Sequence, residues 1–345
     1  MSFNRIFKGL TALLFLTTSL ILSASPEINS ISELENYISK SGFNGVILVK
    51  KEDKILFKRA YGYRDSESKK PLGTGDRFQI GSNTKQFTAA ALLMLQEEGK
   101  IDLEDHVTKF LPQYPIWANV QIKDLLNHTA GIKNHSDDKD FMTRRRYSRV
   151  FSLDYITNYL SRFPLEFSPK TKHKYSNGGY IIAGKIIEVA SGETWDQYIH
   201  RKFLVPMELN NTGHNVFFEK VSPVRGHLGN TIVRNLNLSW ALSAGSLYST
   251  VDDLANWLDI HSEKSLLNKR SRKLMHTSYL NNYGLGVYTQ NFGSDFIVYH
   301  SGQTRGFYSR TYFLKKSKIK IISIENKNGA AKEIPEILLR YFTEQ

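Results

Sequence analysis

The chain has 345 residues, 41% hydrophobic and 12% aromatic, which excludes a disordered polymer and suffices for one large domain or two lobes. It contains no cysteine, so disulfides, thiolate nucleophiles and cysteine-ligated metals are excluded. A formal net charge of +13 suits an anionic partner such as nucleic acid, anionic lipid or an acidic cell-wall polymer.

Residues 1–25 read as a signal peptide. Arg5 and Lys8 give a positive start, Leu10 to Leu22 is mostly apolar, and Ser23-Ala24-Ser25 supplies small residues before Pro26. The apolar run is short for a membrane span, so cleavage is expected rather than a retained anchor. The mature chain, 26–345, is then exported to the periplasm or secreted, with no integral span left. No cysteine at the cut excludes lipid attachment there.

Ser30 and Glu33 form a capping-box pattern that opens a helix through Leu34, Tyr37 and Ile38. Gly45–Lys50 and Lys54–Ala60 read as a hairpin across a short polar turn. Phe78–Gly81 is strand-like, and a helix is expected from Ser82 to Glu98, with Gly99 placed to stop it. Residues from about 100 to 225 are mostly helix and loop, including Ile122–Leu126, Leu153–Leu160 and Gly179–Ala190. Residues 247–259 read as a helix with Thr250 as its cap. Strands return at Gly284–Tyr288, Phe296–His300, Thr311–Leu314 and Lys318–Ile324, and a last helix covers Ile334–Phe342. Strands at both chain ends and helices between them predict an α+β fold. An antiparallel sheet from both termini is flanked by helices, a mostly helical lobe is inserted, and the chemistry lies in the cleft between. The basic run Arg144, Arg145, Arg146 and Arg149 reads as a solvated loop, because no nucleic-acid recognition motif accompanies it.

Ser-x-x-Lys occurs three times, at Ser66, Ser82 and Ser317. Ser66 and Ser317 sit in charged, turn-like stretches, whereas Ser82 opens an apolar helix. Residues three apart share a helix face, so Lys85 can reach the Ser82 hydroxyl. A partly desolvated lysine has a lowered pKa and can take the serine proton. The bland alternative is that Ser82 only caps the helix and Lys85 is solvated. Tyr-x-Asn occurs at Tyr175-Ser176-Asn177 and at Tyr279-Leu280-Asn281. The first precedes Gly178-Gly179 on a loop tip that suits a cleft. Its phenol can shuttle a proton if nearby cations lower its pKa, and the Asn177 amide can bridge a substrate carbonyl and the lysine. His300-Ser301-Gly302 ends a strand whose edge suits an extended peptide-like substrate. There Gly302 permits close approach of a ligand to the backbone.

In this order, Phe78-x-Ile80-Gly81-Ser82-Asn83-Thr84-Lys85, Tyr175-Ser176-Asn177 and His300-Ser301-Gly302 resemble the serine β-lactamase and penicillin-binding-protein superfamily. The likeness is to its class C-related branch of D-alanyl-D-alanine carboxypeptidases, D-aminopeptidases, alkaline D-peptidases and family VIII esterases. Asp124–Ile132, Ala244–Thr250 and Tyr283–Gly286 add to the likeness, which covers about residues 30–340. The resemblance implies a β-lactamase/transpeptidase-like fold and a serine hydrolase that needs no cofactor or metal. It implies Ser82 as nucleophile, Lys85 as its partner, Tyr175 as proton shuttle and Asn177 as a substrate-positioning group. His300 takes the place of a lysine found in many β-lactamases and makes the charge there pH-dependent. The backbone N–H groups of Ser82 and Gln303 form the oxyanion hole, with Ser301 and Gly302 beside it. Arg305 either binds a substrate carboxylate or makes a structural pair.

Small-molecule or peptide substrates follow, D-peptide, β-lactam or small ester, some of them derived from peptidoglycan; nucleic acid does not. The alternative is a penicillin-binding or peptidoglycan-sensing module without turnover. An α/β-hydrolase would need Gly-x-Ser-x-Gly and a zinc hydrolase His-Glu-x-x-His, and neither pattern occurs. Asp252 and Asp253 belong to a first helical turn, where the dipole favours acids.

Overall fold

The computed structural model describes residues 27–143, 150–233, 237–327 and 331–343. The signal-peptide segment and the Arg144–Arg149 run lie outside these residues. Strands from both ends of the chain form one six-stranded antiparallel sheet. Its strands are β1 (Gly45–Lys51), β2 (Lys54–Tyr61), β8 (Tyr288–Phe292), β9 (Asp295–Thr304), β10 (Phe307–Leu314) and β11 (Ile319–Glu325), in the order β2-β1-β11-β10-β9-β8. Five short strands complete the set. They are β3 (Phe78–Gln79), β4 (Gly213–His214), β5 (His227–Leu228), β6 (Thr231–Ile232) and β7 (Leu247–Ser249). β7 joins β3 to β4, and β5 pairs with β6.

The sheet is covered on both faces, and period-two alternation assigns each side chain its layer. Val46 and Leu48 of β1, with Ile322 and Ile324 of β11, face the larger core shared with the helical lobe. Ile47, Val49, Ile319 and Ile321 face a second core closed by helix α1 (Ile31–Lys40) and the helix Ile334–Thr343. Ser30 caps α1 by accepting from the Glu33 N–H, while Glu33 reaches back to the N–H of Asn29 rather than to Ser30.

Through the larger core runs helix α2 (Thr84–Glu97), which is buried on nearly every side, as an all-round apolar helix must be. Packed against it are the helix Asn177–Ser191 and the turn Leu242–Gly245. This crossing brings the ends of sheet and lobe together.

Three elements differ from the sequence reading. Ser82 lies in a tight 3-10 turn, Gly81–Asn83, and the α-helix begins only at Thr84. Residues 247–249 form β7, so the helix covers Val251–Trp257; Thr250 caps it by accepting from the Asp253 N–H. Gly284–Val287 is not a strand, and β8 starts at Tyr288. The backbone there leans on its neighbours: a Cβ on Gly284 would lie 2.3 Å from the Met275 carbonyl, and one on Gly286 2.8 Å from that of Lys85. This packing replaces strand pairing.

Candidate active site

The 3-10 turn leaves Ser82 partly exposed and Lys85 fully buried. Gly81 makes this turn with φ +52°, and a Cβ on it would meet the Gln303 N at 2.6 Å. Only glycine suits both the backbone angle and the close approach. Gly302 faces the same junction from β9, where a Cβ would lie 1.8 Å from the Ile80 carbonyl. Its small size therefore serves strand-to-turn packing rather than ligand access. The turn that carries Ser82 is therefore packed directly against the Gln303 backbone. β8 pairs with β9 only as far as Tyr299, so residues 300–304 bond β10 on one side and, among the described residues, have no strand on the other.

Three groups from distant stretches converge. Lys85 Nζ lies 3.1 Å from Ser82 Oγ, and the Tyr175 hydroxyl donates to Ser82 Oγ at 2.8 Å. Lys85 Nζ also donates to Asn177 Oδ1 and to the Ala244 carbonyl, both at 2.7 Å. Ser176 caps the helix Asn177–Ser191 by accepting from the Gly179 N–H, which fixes Tyr175 and Asn177 on either side of the cap. The Asn177 amide is engaged at both ends, because Nδ2 donates to Ser136 Oγ at 2.9 Å. Ser136 in turn donates to Asn134 Oδ1, which accepts the Asn177 N–H.

Electrostatically the site is unusual. Lys85 is fully buried and makes no ion pair among the described residues. Desolvation alone therefore pushes its pKa well below the ordinary lysine value. Burial drives the Tyr175 phenol the other way, above its ordinary value. The expectation that nearby cations lower it is overturned, because the one adjacent amine is itself held toward neutrality. His300 requires a second correction. It is 1% exposed, and burial, with the Lys85 charge as a smaller cause, pushes its pKa down to about 3. Its Nδ1–H donates to the Ser301 carbonyl at 2.5 Å, so Nε2 accepts from the Tyr283 hydroxyl at 3.0 Å. His300 is thus a neutral buried support and carries no pH-dependent charge near pH 7.

Ser301 is partly exposed beside Gln303, which is exposed. Arg305 is exposed in the turn after β9 and makes no ion pair among the described residues, so no structural pairing holds it. The rival motifs lie elsewhere. The Ser66 N–H donates to His227, Ser317 binds Asp295, and Asn281 sits in a turn with φ +55°. Asp253 accepts from Asn211 and Thr212, and Asp252 pairs with Lys58. No cluster of three or more metal-ligating side chains occurs among the described residues. Sequence reasoning gave no role to Ala244, whose carbonyl has no sequence signature, or to Ser136, Tyr283 and His128. His128 lay in plain view in the Asp124–Ile132 segment.

The chain is similar to several known proteins. A relative named Protein flp, from Staphylococcus aureus (strain NCTC 8325 / PS 47), is 28% identical over 316 residues, 86% of this chain. The chain spans 62% of that relative's length. A Staphylococcus aureus protein named teichoic acid D-alanine hydrolase is 26% identical over 292 residues, 78% of this chain and 70% of its own length. The octameric penicillin-binding protein homologue from Pyrococcus abyssi superposes with a TM-score of 0.80 at 25% identity, covering 92% of this chain and 78% of that one. The family model described as Beta-lactamase matches residues 32–340. A turn-borne serine, a buried lysine and a tyrosine meeting under the open edge of an antiparallel sheet thus stand in a matching frame, and the chain belongs to the beta-lactamase family, in its class C-related branch.

Proposed function

We propose that the chain is a serine hydrolase in which Ser82 forms an acyl-enzyme with D-aminoacyl amides, esters or β-lactams. The carrying observation is the set of three contacts on Lys85 Nζ. A neutral amine has two N–H donors and one lone pair. The carbonyls of Asn177 and Ala244 take the two donors, which leaves the lone pair facing Ser82 Oγ at 3.1 Å. Burial without a carboxylate favours this neutral form.

In acylation Ser82 Oγ attacks the substrate carbonyl and its proton passes to Lys85 Nζ. The N–H groups of Ser82 and Gln303 stabilise the developing oxyanion. Tyr175, a neutral phenol donating toward Ser82 Oγ, gives its proton to the leaving group as the carbonyl carbon–heteroatom bond breaks, and regains one from the Lys85 ammonium. In deacylation the same pair activates water. Asn177, bonded at both ends, holds Lys85 and offers one N–H to substrate. The open edge of residues 300–304 suits an extended substrate, with Ser301, Gly302 and Gln303 beside the scissile bond. Exposed Arg305, with exposed Lys170 and Lys172 on the loop leading to Tyr175, supports an anionic group or carrier on the substrate. The relative named for teichoic acid D-alanine hydrolysis, acting on a D-alanyl group, accords with this. Export of the 26–345 domain after loss of residues 1–25 places the enzyme where such substrates occur.

Intact-mass spectrometry with a penicillin and an activated D-aminoacyl ester tests the reading. A transient adduct on Ser82, absent in Ser82→Ala, is expected. A permanent adduct would indicate the non-turnover binding module, and turnover by Ser82→Ala near the wild-type rate would remove Ser82 from the chemistry.

A further inference from the structure

His128 has a backbone that L-residues avoid. Its φ is +62°, a left-handed conformation that is strained for a non-glycine side chain. That conformation turns both its carbonyl and its ring toward the segment carrying Tyr175. The His128 carbonyl accepts the Lys174 N–H at 3.0 Å, and Nδ1 accepts the Ser176 N–H at 3.2 Å. One residue thus grips the chain immediately before and immediately after Tyr175. Its ring lies under the phenol, with centroids 4.2 Å apart and planes tilted by 40°. The rings of Tyr283 and Tyr180, at 4.7 and 5.2 Å, hold the imidazole in turn. Since Nδ1 accepts, the proton is on Nε2, which is buried with no hydrogen-bond partner. A buried donor left unpaired is costly, and an apolar ring would avoid that cost. The acceptor at Nδ1, in left-handed backbone, is what the site uses.

We propose that His128 is a positioning residue that sets the angle of the Tyr175 phenol and thereby its delivery of a proton to the leaving group. This rests on the reading of Tyr175 as proton donor. The grip is neutral by construction, because a protonated imidazole has no lone pair for the Ser176 N–H.

Leaving-group dependence tests it. The p-nitrophenolate ion departs without a proton, whereas ethoxide needs one. Acylation by the ethyl and p-nitrophenyl esters of N-acetyl-D-alanine is measured for wild type, Tyr175→Phe, His128→Ala, His128→Gly and His128→Asn. His128→Gly suits the backbone angle and serves if His128→Ala does not fold. The Ala or Gly variant is expected to lose roughly 30- to 100-fold on the ethyl ester and under about threefold on the p-nitrophenyl ester, in the pattern of Tyr175→Phe. Asparagine tolerates left-handed backbone and carries an acceptor, so His128→Asn restores part of the loss. Equal losses on both esters, with Tyr175→Phe still selective, would overturn the role of His128 alone. A non-selective Tyr175→Phe would overturn the reading of Tyr175 and this proposal with it.

Discussion

Two lysines are buried among the described residues, and their surroundings are opposite. Lys320, on β11, has Asp259 at 2.7 Å from the turn that follows the helix Val251–Trp257. Burial lowers its pKa and the carboxylate opposes that shift. Lys85, behind Ser82, has two carbonyls and a hydroxyl but no acid, so nothing opposes desolvation. The paired lysine is a structural tie, and the unpaired one is an amine held ready to take a proton. Removing the counter-ion converts the first kind of residue into the second.

The sharpest way to break this contrast is Lys85→Met. We expect turnover to fall by about 10⁴-fold or more. Stability moves the other way. The folded pKa of Lys85 lies below its unfolded value, so folding at neutral pH must strip a proton, and stability rises with pH up to the unfolded lysine value. Methionine removes that cost, and the melting temperature at pH 7 should rise, by about 1 kcal/mol in stability terms. A less stable Lys85→Met would show that the amine is charged and satisfied in the fold.

Asp259→Asn is the converse. It leaves Lys320 buried without its acid and should cost about 2–3 kcal/mol in urea unfolding, with kcat unchanged. Glu325, an acid, repeats the Lys85 situation with the sign reversed. It is buried at the end of β11 with Oε2 unpartnered, and burial raises its pKa to about 8. The folded state therefore retains a proton that the unfolded chain loses near pH 4.5. Stability from this group is complete below pH 4.5 and is lost as pH rises toward 8. Glu325→Gln should match wild type in acid and exceed it above pH 8, by on the order of 1–2 kcal/mol in melts across pH. The smallest effect concerns His300. Because it titrates near 3, His300→Gln should leave the acidic limb of the pH–rate profile in place even if the rate falls. A limb that moves with this substitution would return the titrating role to His300.

Much of this was legible in the sequence, for identifiable reasons. Ser30 and Thr250 cap as their side chains dictate, and the i, i+3 spacing of Ser82 and Lys85 survives the change from α-helix to 3-10 turn. The sheet follows from strands at both chain ends. What stayed hidden depends on long-range packing. The charge state of His300 was misread because burial and the Tyr283 and Ser301 contacts are tertiary properties. The Ala244 carbonyl that fixes Lys85 is backbone, which any residue supplies. Gly302 was read as a ligand-approach site, although the close neighbour is the Ile80 carbonyl. The left-handed backbone of His128 had no cue beside it, since the flexible residue of that loop, Gly131, is three positions later.

The charge on Lys85 Nζ decides the account, and it can be read directly by NMR titration of lysines labelled with ¹³C at Cε, using Lys85→Met to assign the signal. One lysine signal, absent from the variant, is expected to titrate well below the ordinary lysine range, because burial without a counter-ion disfavours its charged form. A Lys85 signal that titrates with the exposed ones would contradict it.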